Sequence, residues 1–316
     1  MNVTIRRQTP DDYPVLADIF NASLPDYPTT TEQIRRYDEV RDPKCFHERL
    51  IAECDSQPVG AVTFGNTEWM FHPRRFAIEV HVLPAHRNAG VGTQLYGAME
   101  ANLATLEPEV LRSLAREDMP ESIHFLEKRG FHEEDRNWES RLAVAAFNPG
   151  PYDGIEDCLR TIGVDIVTFG SLASDPDRDR KMFELETELV HDLPAPEPLT
   201  DLSYEQYGKH ILDSPNLLPE GWMVATHNGE YIGVSVVWLA PGQAYLNTGL
   251  TAVKREWRRN RIALAMKLRV IEYARQRGIP QIRTDNESNN VGMLSINERL
   301  GFVKQPVWIG YVNKLR

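Results

Sequence analysis

The chain has 316 residues, 41% of them apolar, which is enough for two globular cores at about 150 residues per domain. Its formal net charge of −11 disfavours nucleic acid as a partner, because phosphates would be repelled, and favours a cationic or amine ligand. The sequence has no apolar run near the roughly 18 residues of a membrane span and no secretion signal at its start. We therefore expect a cytoplasmic protein that binds neither nucleic acid nor a membrane.

The cysteines indicate no redox or metal chemistry. Cys45, Cys54 and Cys158 have no metal-ligand spacing, and an odd number of cysteines cannot all form disulfides with one another. His, Cys and carboxylate residues likewise form no cluster with ligand spacing in the sequence. We expect three reduced thiols and no metal site.

The first half begins with alternating strands and helices. Residues 3–6 are predicted to form a strand, and a helix follows over 13–20 after a polar cap. A charged segment over 30–41 comes next. Residues 50–54 and 59–64 then flank a turn-forming tetrapeptide, which predicts a β-hairpin.

The next strand and helix enclose the most informative loop. Residues 76–82 alternate apolar and polar side chains, which is typical of a strand, and Glu79 and His81 lie on the face opposite the apolar row. Apolar residues then recur at every fourth position, which predicts an amphipathic helix from about Gly92. The apolar stripe of this helix consists of Val91, Leu95, Met99 and Leu103.

The loop between this strand and helix, residues 86–92, is predicted to bind an anion. A strand that turns into a helix leaves main-chain N–H groups unpaired at the positive end of the helix dipole. Gly90 and Gly92 let the backbone approach a phosphate, and Arg87 adds positive charge. The loop is neither a Walker loop nor a dinucleotide fingerprint, because it lacks Gly-Lys-Ser/Thr and Gly-x-Gly-x-x-Gly.

Two further elements complete the first half. Residues 110–114 form an apolar run that predicts a buried strand. Residues 123–126 belong to a short predicted helix that stops near Gly130, a candidate left-handed C-cap. The turn cluster at 148–154 is the candidate boundary between two domains.

The second half repeats this plan. Arg258 and Gly301 follow Arg87 and Gly130 by the same interval, 171 positions. Repetition at this length indicates a duplicated domain. The predicted organisation is an N-terminal domain over residues 1–147, a linker over 148–163 and a C-terminal domain over 164–316.

The elements of the second half are predicted at matching places. A strand over 164–169 and a helix over 182–190 restart the plan, and residues 223–238 form the second hairpin. A strand over 245–253 leads to the second loop. The segment 192–202 carries three prolines and is predicted to be a surface loop.

The motif Arg87-x-x-Gly90-x-Gly92 after a strand resembles the acetyl-coenzyme A pyrophosphate loop of the GNAT N-acetyltransferases, which reads Arg or Gln, two residues, Gly, one residue, Gly or Ala. The resemblance implies an α+β fold of two tandem GNAT-like domains, each a mixed, mostly antiparallel sheet flanked by helices. In this fold two central strands splay apart at a bulge. The pantetheine of acetyl-coenzyme A (acetyl-CoA) inserts between them, and its pyrophosphate rests on the loop.

The resemblance also assigns cofactor contacts in both copies. In the first copy, strand and loop residues are implied to bind acetyl-CoA: Val80, Val82, Arg87, Asn88, Ala89, Gly90, Val91, Gly92 and Thr93. In the second copy, the equivalent residues are Val253, Arg258, Arg259, Asn260, Arg261, Ile262 and Ala263. An amide-rich region there resembles the cofactor-contacting asparagine motif of the family and contributes Asn286, Asn290 and Asn297.

The two copies depart from the family pattern in different ways. Leu126 stands where many members carry a tyrosine proposed as general acid, and Asn297 takes that position in the second copy. Arg261 stands where the first glycine of the second loop belongs. Its side chain either crowds the pyrophosphate or binds it through the guanidinium group.

Glu79 and His81 are the candidate catalytic residues. Acetyl transfer to an amine needs a group that takes the ammonium proton, and both side chains can titrate near neutral pH when partly buried. The equivalent strand of the second copy offers Thr248 and Thr251 and no comparable base. We therefore predict chemistry in the first copy and a degenerate cofactor binder or scaffold in the second.

The predicted function is acetyl transfer from acetyl-CoA to the amine of a small molecule, by a monomer or homodimer. Two alternatives stay open. One is transfer of another acyl group, or a reaction similar to that of mycothiol synthase. The other is a pseudoenzyme that senses acyl-CoA or scaffolds a partner, since the family tyrosine is missing from both copies. Acceptor specificity is expected in the loops over residues 21–45 and 191–220.

Overall fold

The computed structural model describes residues 2–240 and 242–315. The strands, in chain order, are β1 (Val3–Arg7), β2 (His47–Cys54), β3 (Gln57–Gly65), β4 (Arg75–Val82), β5 (Val110–Arg116), β6 (His132–Ala143), β7 (Val164–Thr168), β8 (Met223–His227), β9 (Glu230–Leu239), β10 (Tyr245–Val253), β11 (Gln281–Glu287), β12 (Val303–Lys304) and β13 (Trp308–Lys314). The α-helices are α1 (Tyr13–Ser23), α2 (Thr31–Val40), α3 (Val91–Leu103), α4 (Pro120–Glu127), α5 (Ile155–Thr161), α6 (Arg178–Val190), α7 (Tyr204–Tyr207), α8 (Ile262–Gln276) and α9 (Val291–Arg299).

The described chain forms two compact units, each discontinuous in sequence. Unit 1 contains residues 2–135, 197–200 and 309–315. Unit 2 contains residues 136–196 and 201–308, apart from position 241. The predicted boundaries at 147 and 163 refer to the repeated sequence copies and stay a prediction.

Unit 1 is a mixed sheet with helices on both faces. Its strands follow the order β1, β2, β3, β4, β5, β13; β1 to β4 are antiparallel, and β4 and β5 are parallel. On one face, Leu16 and Ile34 of α1 and α2 pack on Ala61. On the other face, α3 lies so close that a Cβ added to Gly60 would be 3.2 Å from Leu95. The predicted stripe of α3 is buried and holds the helix to the sheet.

Unit 2 has the same plan. Its strands follow the order β6, β11, β10, β9, β8, β7, in which β10 and β11 are parallel and the other neighbours antiparallel. Met266 of α8 contributes to one apolar cluster and Leu185 of α6 to another. The predicted mixed, mostly antiparallel sheets flanked by helices are therefore present in both units.

One predicted core residue is misplaced. The apolar run 110–114 predicts a buried strand, and β5 forms there, but the side chain of Leu114 is exposed. The pairing of β5 with β4 ends at Arg112, so no neighbouring strand covers Leu114 on that side. The apolar pattern of residues 110–114 predicts the strand, but it does not show where β4 stops pairing with it.

In the described part of the chain, no helix combines the length and apolarity needed to cross a bilayer. Across these same residues, no group of three or more His, Cys, Asp or Glu side chains is arranged to hold a metal ion. Cys45 and Cys54 are buried and Cys158 is exposed, each as a free thiol.

Candidate active site

β4 and β5 of unit 1 pair only over their first residues. Their register runs from Arg75 opposite Val110 to Ala77 opposite Arg112, although β4 continues to Val82 and β5 to Arg116. Where they part, Ser113 Oγ donates a 2.9 Å hydrogen bond to the carbonyl of Ile78. The result is a V-shaped gap between residues 78–82 and 113–116, which opens toward the loop after β4.

The main chain of β4 lines this gap. Alternate residues of a strand direct their N–H and C=O groups to the same side, so Val80 and Val82 face the gap as Ile78 does. The Val82 carbonyl accepts a 3.2 Å hydrogen bond from Arg87 Nε and a 3.5 Å bond from Ser23 Oγ. The Val80 groups remain available to an extended ligand that carries amides of its own.

The loop after β4 has the shape of an anion site. Gly90 is the N-cap of α3 with φ 85° and ψ −4°, a left-handed conformation that glycine adopts without strain, and Asn88 also has a positive φ of 58°. Residues 87–90 are exposed. A Cβ added to Gly92 would lie 3.2 Å from the Phe125 ring, a tight contact, so a larger residue there would have to displace that ring slightly.

Glu79 and His81 are brought together beside the gap. Glu79 Oε2 lies 3.5 Å from His81 Nε2, and the Glu79 side chain is 63% exposed while His81 is covered by the Phe20 ring, 4.7 Å away between centroids. The hydrogen bond with His81 lowers the pKa of Glu79, with partial burial acting in the opposite direction. Glu79 is therefore a carboxylate at neutral pH that faces open solvent, so the expectation that it titrates near neutral pH is wrong.

Other charges on the same sheet face are balanced. Glu79 lies opposite Thr63, and Thr63 opposite Arg49, so the three share one face. Arg49 is buried and forms an ion pair with Asp38 at 2.6 Å. Burial, helped by the Arg49 charge, lowers the pKa of His47 to about 3, so this imidazole is neutral. We call the face that carries Glu79 the acceptor face.

A second gap lies in unit 2. The β10–β11 register runs from Tyr245 opposite Gln281 to Thr248 opposite Thr284 and then stops. The register between β9 and β10 shifts between Thr248 and Thr251, which is the bulge that the resemblance implies. The β3–β4 register of unit 1 has no such shift over its described pairs, so the expectation of a bulge there is wrong. In unit 1 the strands part without one.

The second loop repeats the shape of the first. Arg261, the N-cap of α8, has φ 63° and ψ 15°, and Arg259 has φ 67°. Arg258 Nε donates to the Val253 carbonyl at 3.0 Å, as Arg87 does to Val82. Arg258 also forms an ion pair with Asp192. Arg261 thus adopts the conformation of Gly90, and Asp192 shares the charge of the loop arginine.

Two of the three predicted asparagines of unit 2 meet. Asn297 is 1% exposed, and its Nδ2 donates to Asn286 Oδ1 at 2.6 Å. The Oδ1 of Asn297 is buried with no hydrogen-bond partner among the described residues. Asn290 has a different position, because its Oδ1 caps α9 by accepting from Met293 N at 3.3 Å. A buried acceptor without a partner is costly unless a ligand N–H completes it.

The β10 residues of unit 2 that correspond to Glu79 and His81 are apolar. Leu250 and Ala252 follow Glu79 and His81 by 171 positions, and both pack against a cluster that contains the fully buried Trp222 and Phe169. Thr251, one of the two polar residues predicted on this strand, has its Oγ1 2.8 Å from Ser235 Oγ. Unit 2 therefore offers no counterpart of Glu79 on β10.

Sequence reasoning missed a pair of carboxylates in unit 2. Asp285 of β11 lies directly opposite Glu139 of β6. Burial and the negative charge of Glu139 raise the pKa of Asp285 to about 6. The two carboxylates are far apart in sequence, so no local pattern could have predicted their contact.

Residues 13–131 and 183–302 each match the model of the acetyltransferase (GNAT) family. The chain belongs to the GNAT family of acetyltransferases. The two matches confirm the predicted tandem arrangement of GNAT domains. GNAT enzymes use acetyl-CoA, which is an extended thioester with a pyrophosphate.

Two solved GNAT structures resemble the whole chain. A tandem GNAT protein from the clavulanic acid biosynthesis pathway has a TM-score of 0.76 and 17% identity, covering 99% of this chain and 98% of its own. A GCN5-related N-acetyltransferase from Sphaerobacter thermophilus has a TM-score of 0.72 and 18% identity, covering 99% and 96%. At these identities the likeness shows the tandem GNAT fold alone. No curated protein matches the chain significantly.

Proposed function

We propose that the protein transfers an acetyl group from acetyl-CoA to the amine of a small molecule, and that unit 1 carries out the transfer. One observation supports this most strongly. The gap between β4 and β5 opens beside an exposed anion-binding loop, and a solvent-facing carboxylate, Glu79, lies on the strand that lines it. A cofactor-binding gap and a group that attracts an ammonium ion therefore share one strand.

The residues of unit 1 fit the cofactor. Main-chain N–H groups of residues 88–93 and the Arg87 guanidinium would hold the pyrophosphate at the start of α3. The glycine at position 92 keeps a Cβ away from Phe125 and leaves the loop close to the gap. The Val80 N–H is directed into the gap, where it would donate to a carbonyl oxygen. Acetyl-CoA, when bound, would supply the acetyl thioester.

Glu79 is the proposed proton acceptor. An amine must lose its ammonium proton to become a nucleophile, and an ionised carboxylate both attracts the ammonium group and takes that proton. Because its pKa is lowered, Glu79 stays ionised and attracts the ammonium group, and it releases the proton readily instead of holding it. His81, fixed under Phe20, would hold the carboxylate in place. Leu126 cannot donate a proton, so the leaving thiol would take its proton from water.

For unit 2 we propose cofactor binding without transfer. Its loop has the backbone shape of the first, and the unpartnered Oδ1 of Asn297 suits an amide N–H of the cofactor. The apolar cluster around Leu250 leaves no polar group of β10 to receive an amine. This also supports the sensor alternative for the whole protein, should no amine be acetylated.

Calorimetry and thiol release test these proposals. We expect coenzyme A to bind two sites in the wild type, one in Gly90→Glu and one in Ala263→Glu. Gly154→Glu is the matched control, because Gly154 is also a left-handed N-cap, with φ 78° and nothing within 4 Å of an added Cβ. Release of free thiol with a panel of amines tests turnover. Two bound equivalents with no thiol release above background from any amine would overturn the transferase proposal in favour of the sensor.

A further inference from the structure

A short segment distant in sequence forms part of unit 1. Residues 197–200, from the proline-rich loop, are anchored at both ends. Thr200 N donates to the Trp69 carbonyl and Phe71 N donates to Thr200 Oγ1, each at 2.9 Å. At the other end, the Glu197 carboxylate forms ion pairs with Arg75 of β4 and Arg112 of β5. The segment was predicted to be a surface loop, yet the Glu197 side chain is only 9% exposed.

Both arginines lie on the acceptor face. Arg75 is four residues before Glu79 on the same strand, so their side chains point the same way. Arg112 is paired with Ala77, two residues before Glu79, and shares that face. From the rise per residue and the strand spacing, the Cα atoms of Arg112 and Glu79 are roughly 8 Å apart. One cation therefore lies near the proposed proton acceptor, and the second, Arg75, lies farther along the same face, with its Cα roughly 13 Å from that of Glu79.

We propose that Glu197 is a specificity-determining residue for the acceptor: by neutralising Arg75 and Arg112 it lets the acceptor face bind a cationic amine, and disfavours an acceptor with a carboxylate beside its amine. This rests on the proposed function of unit 1. Without Glu197, Arg75 would have no carboxylate partner among the described ion pairs. Arg112 would keep only its ion pair with Glu134, at 2.7 Å. The face would then repel a dication and attract an acidic tail.

The geometry explains why Glu197 has more influence than a typical surface charge. Glu197 and Arg112 are 9% and 20% exposed and Arg75 is 33% exposed, so the charges of the first two are less screened than those of exposed pairs. Glu197 also bridges two strands just before they part, where a change in charge acts directly on the mouth of the gap. It touches no reacting atom in this arrangement and acts through the two arginines.

The test compares kcat/KM for three acceptors of similar size: a diamine, an amine with a neutral tail and an amine with a carboxylate tail. In Glu197→Gln we expect the ratio of diamine to carboxylate-tailed amine to fall roughly tenfold, mainly through KM. The coenzyme A Kd should stay unchanged. Arg112→Gln removes a cation and keeps Glu197, so its ratio should move in the opposite direction.

Thr200→Val is the matched control, because it loosens the same segment without changing charge. We expect it to affect all three acceptors equally. The proposal is overturned if Glu197→Gln lowers all three equally, as a structural role would, or if Arg112→Gln shifts the ratio in the same direction. The wild-type assay is separate: if no amine gives thiol release, the proposed function itself fails.

Discussion

The two gaps share a main-chain design and differ in side chains. Arg87 and Arg258 each donate to the carbonyl that ends the preceding strand, and Gly90 and Arg261 adopt the same left-handed conformation. On the acceptor face, however, a solvent-facing Glu79 in unit 1 corresponds to an apolar Leu250 in unit 2. Under the proposed function, the main-chain cofactor site is kept in both units, whereas acetyl transfer depends on side chains of unit 1 that unit 2 lacks.

The helix behind each loop differs in a related way. In unit 1, Tyr96 of α3 has its ring centroid 4.9 Å from the Arg129 guanidinium, so the cation belongs to the segment after α4 and not to α3. In unit 2, Lys267 takes the position of Tyr96 on α8 and lies 5.4 Å from the Phe302 ring. Lys267 is 3% exposed, and burial lowers its pKa to about 8. Unit 2 therefore carries a buried ammonium group with no carboxylate partner among the described ion pairs.

The largest expected effect, which tests the difference between the two units most directly, is on kcat. We expect Glu79→Gln to reduce kcat by two to three orders of magnitude, on the order of what a general base contributes, with little change in coenzyme A affinity. Asp285→Asn is the matched control in unit 2 and should leave kcat within about threefold. If the loss follows Asp285 instead, the chemistry belongs to unit 2.

The pH dependence of the rate sharpens the same point. Because the pKa of Glu79 is lowered, the carboxylate should stay ionised down to below the usual Glu range of about 4.5. The acid limb of kcat/KM that belongs to this group should therefore lie below pH 4.5, and kcat/KM should fall as pH drops through it. An acid limb near pH 6 that disappears in Asp285→Asn would assign the base to Asp285, whose pKa is raised to about 6.

The next effect is on stability. We expect Lys267→Met to raise the free energy of unfolding by about 2–3 kcal/mol at pH 7, from a pKa lowered from 10.5 to about 8. The unfolded chain binds the lysine proton below pH 10.5 and the folded chain only below about 8, so the wild type loses stability as pH falls through this window. In denaturant titrations, the gain in unfolding free energy from Lys267→Met should therefore shrink as the pH rises from 8 to 10.5. A gain that does not change with pH would mean that Lys267→Met acts through packing and not through charge. Tyr96→Phe is the corresponding change in unit 1.

The smallest effect concerns the loops. We expect Arg261→Gly to stabilise unit 2 by about 0.5–1 kcal/mol, because a left-handed residue with a Cβ is strained. Gly90→Ala should destabilise unit 1 by about 1 kcal/mol for the same reason.

Calorimetry of Arg261→Gly with coenzyme A also decides how the Arg261 side chain acts. Tighter coenzyme A binding would mean that it crowds the phosphate, and weaker binding that it contributes charge.

Much of this could be predicted from the sequence because the signals are local. The four-residue repeat from Val91 to Leu103 predicts α3, and the alternation around Glu79 predicts β4. The first loop follows from Gly90, which adopts a left-handed conformation without strain. Arg261 has the same conformation without that signal, so the second loop could be predicted only from the repeat. The repeat interval of 171 positions carried these inferences to unit 2.

The missed features are all long-range. Leu114 is apolar and exposed because its strand loses a neighbour, which no property of β5 alone reveals. Glu197 meets Arg75 from 122 positions away, and Asp285 meets Glu139 across two strands. Side chains that determine specificity come from such pairings, so the acceptor face was predicted less completely than the loops.

The placement of β13 affects how the protein is made. This strand neighbours β5 in unit 1, yet it follows residue 135 of that unit by more than 170 positions in the sequence. At the usual speed of translation, on the order of 5–20 residues per second, a nascent chain waits about ten seconds or more between emergence of residue 135 and of this last strand. During that interval the edge of β5 is uncovered, so unit 1 is completed only once β13 has been synthesised and depends on this strand for protection against aggregation.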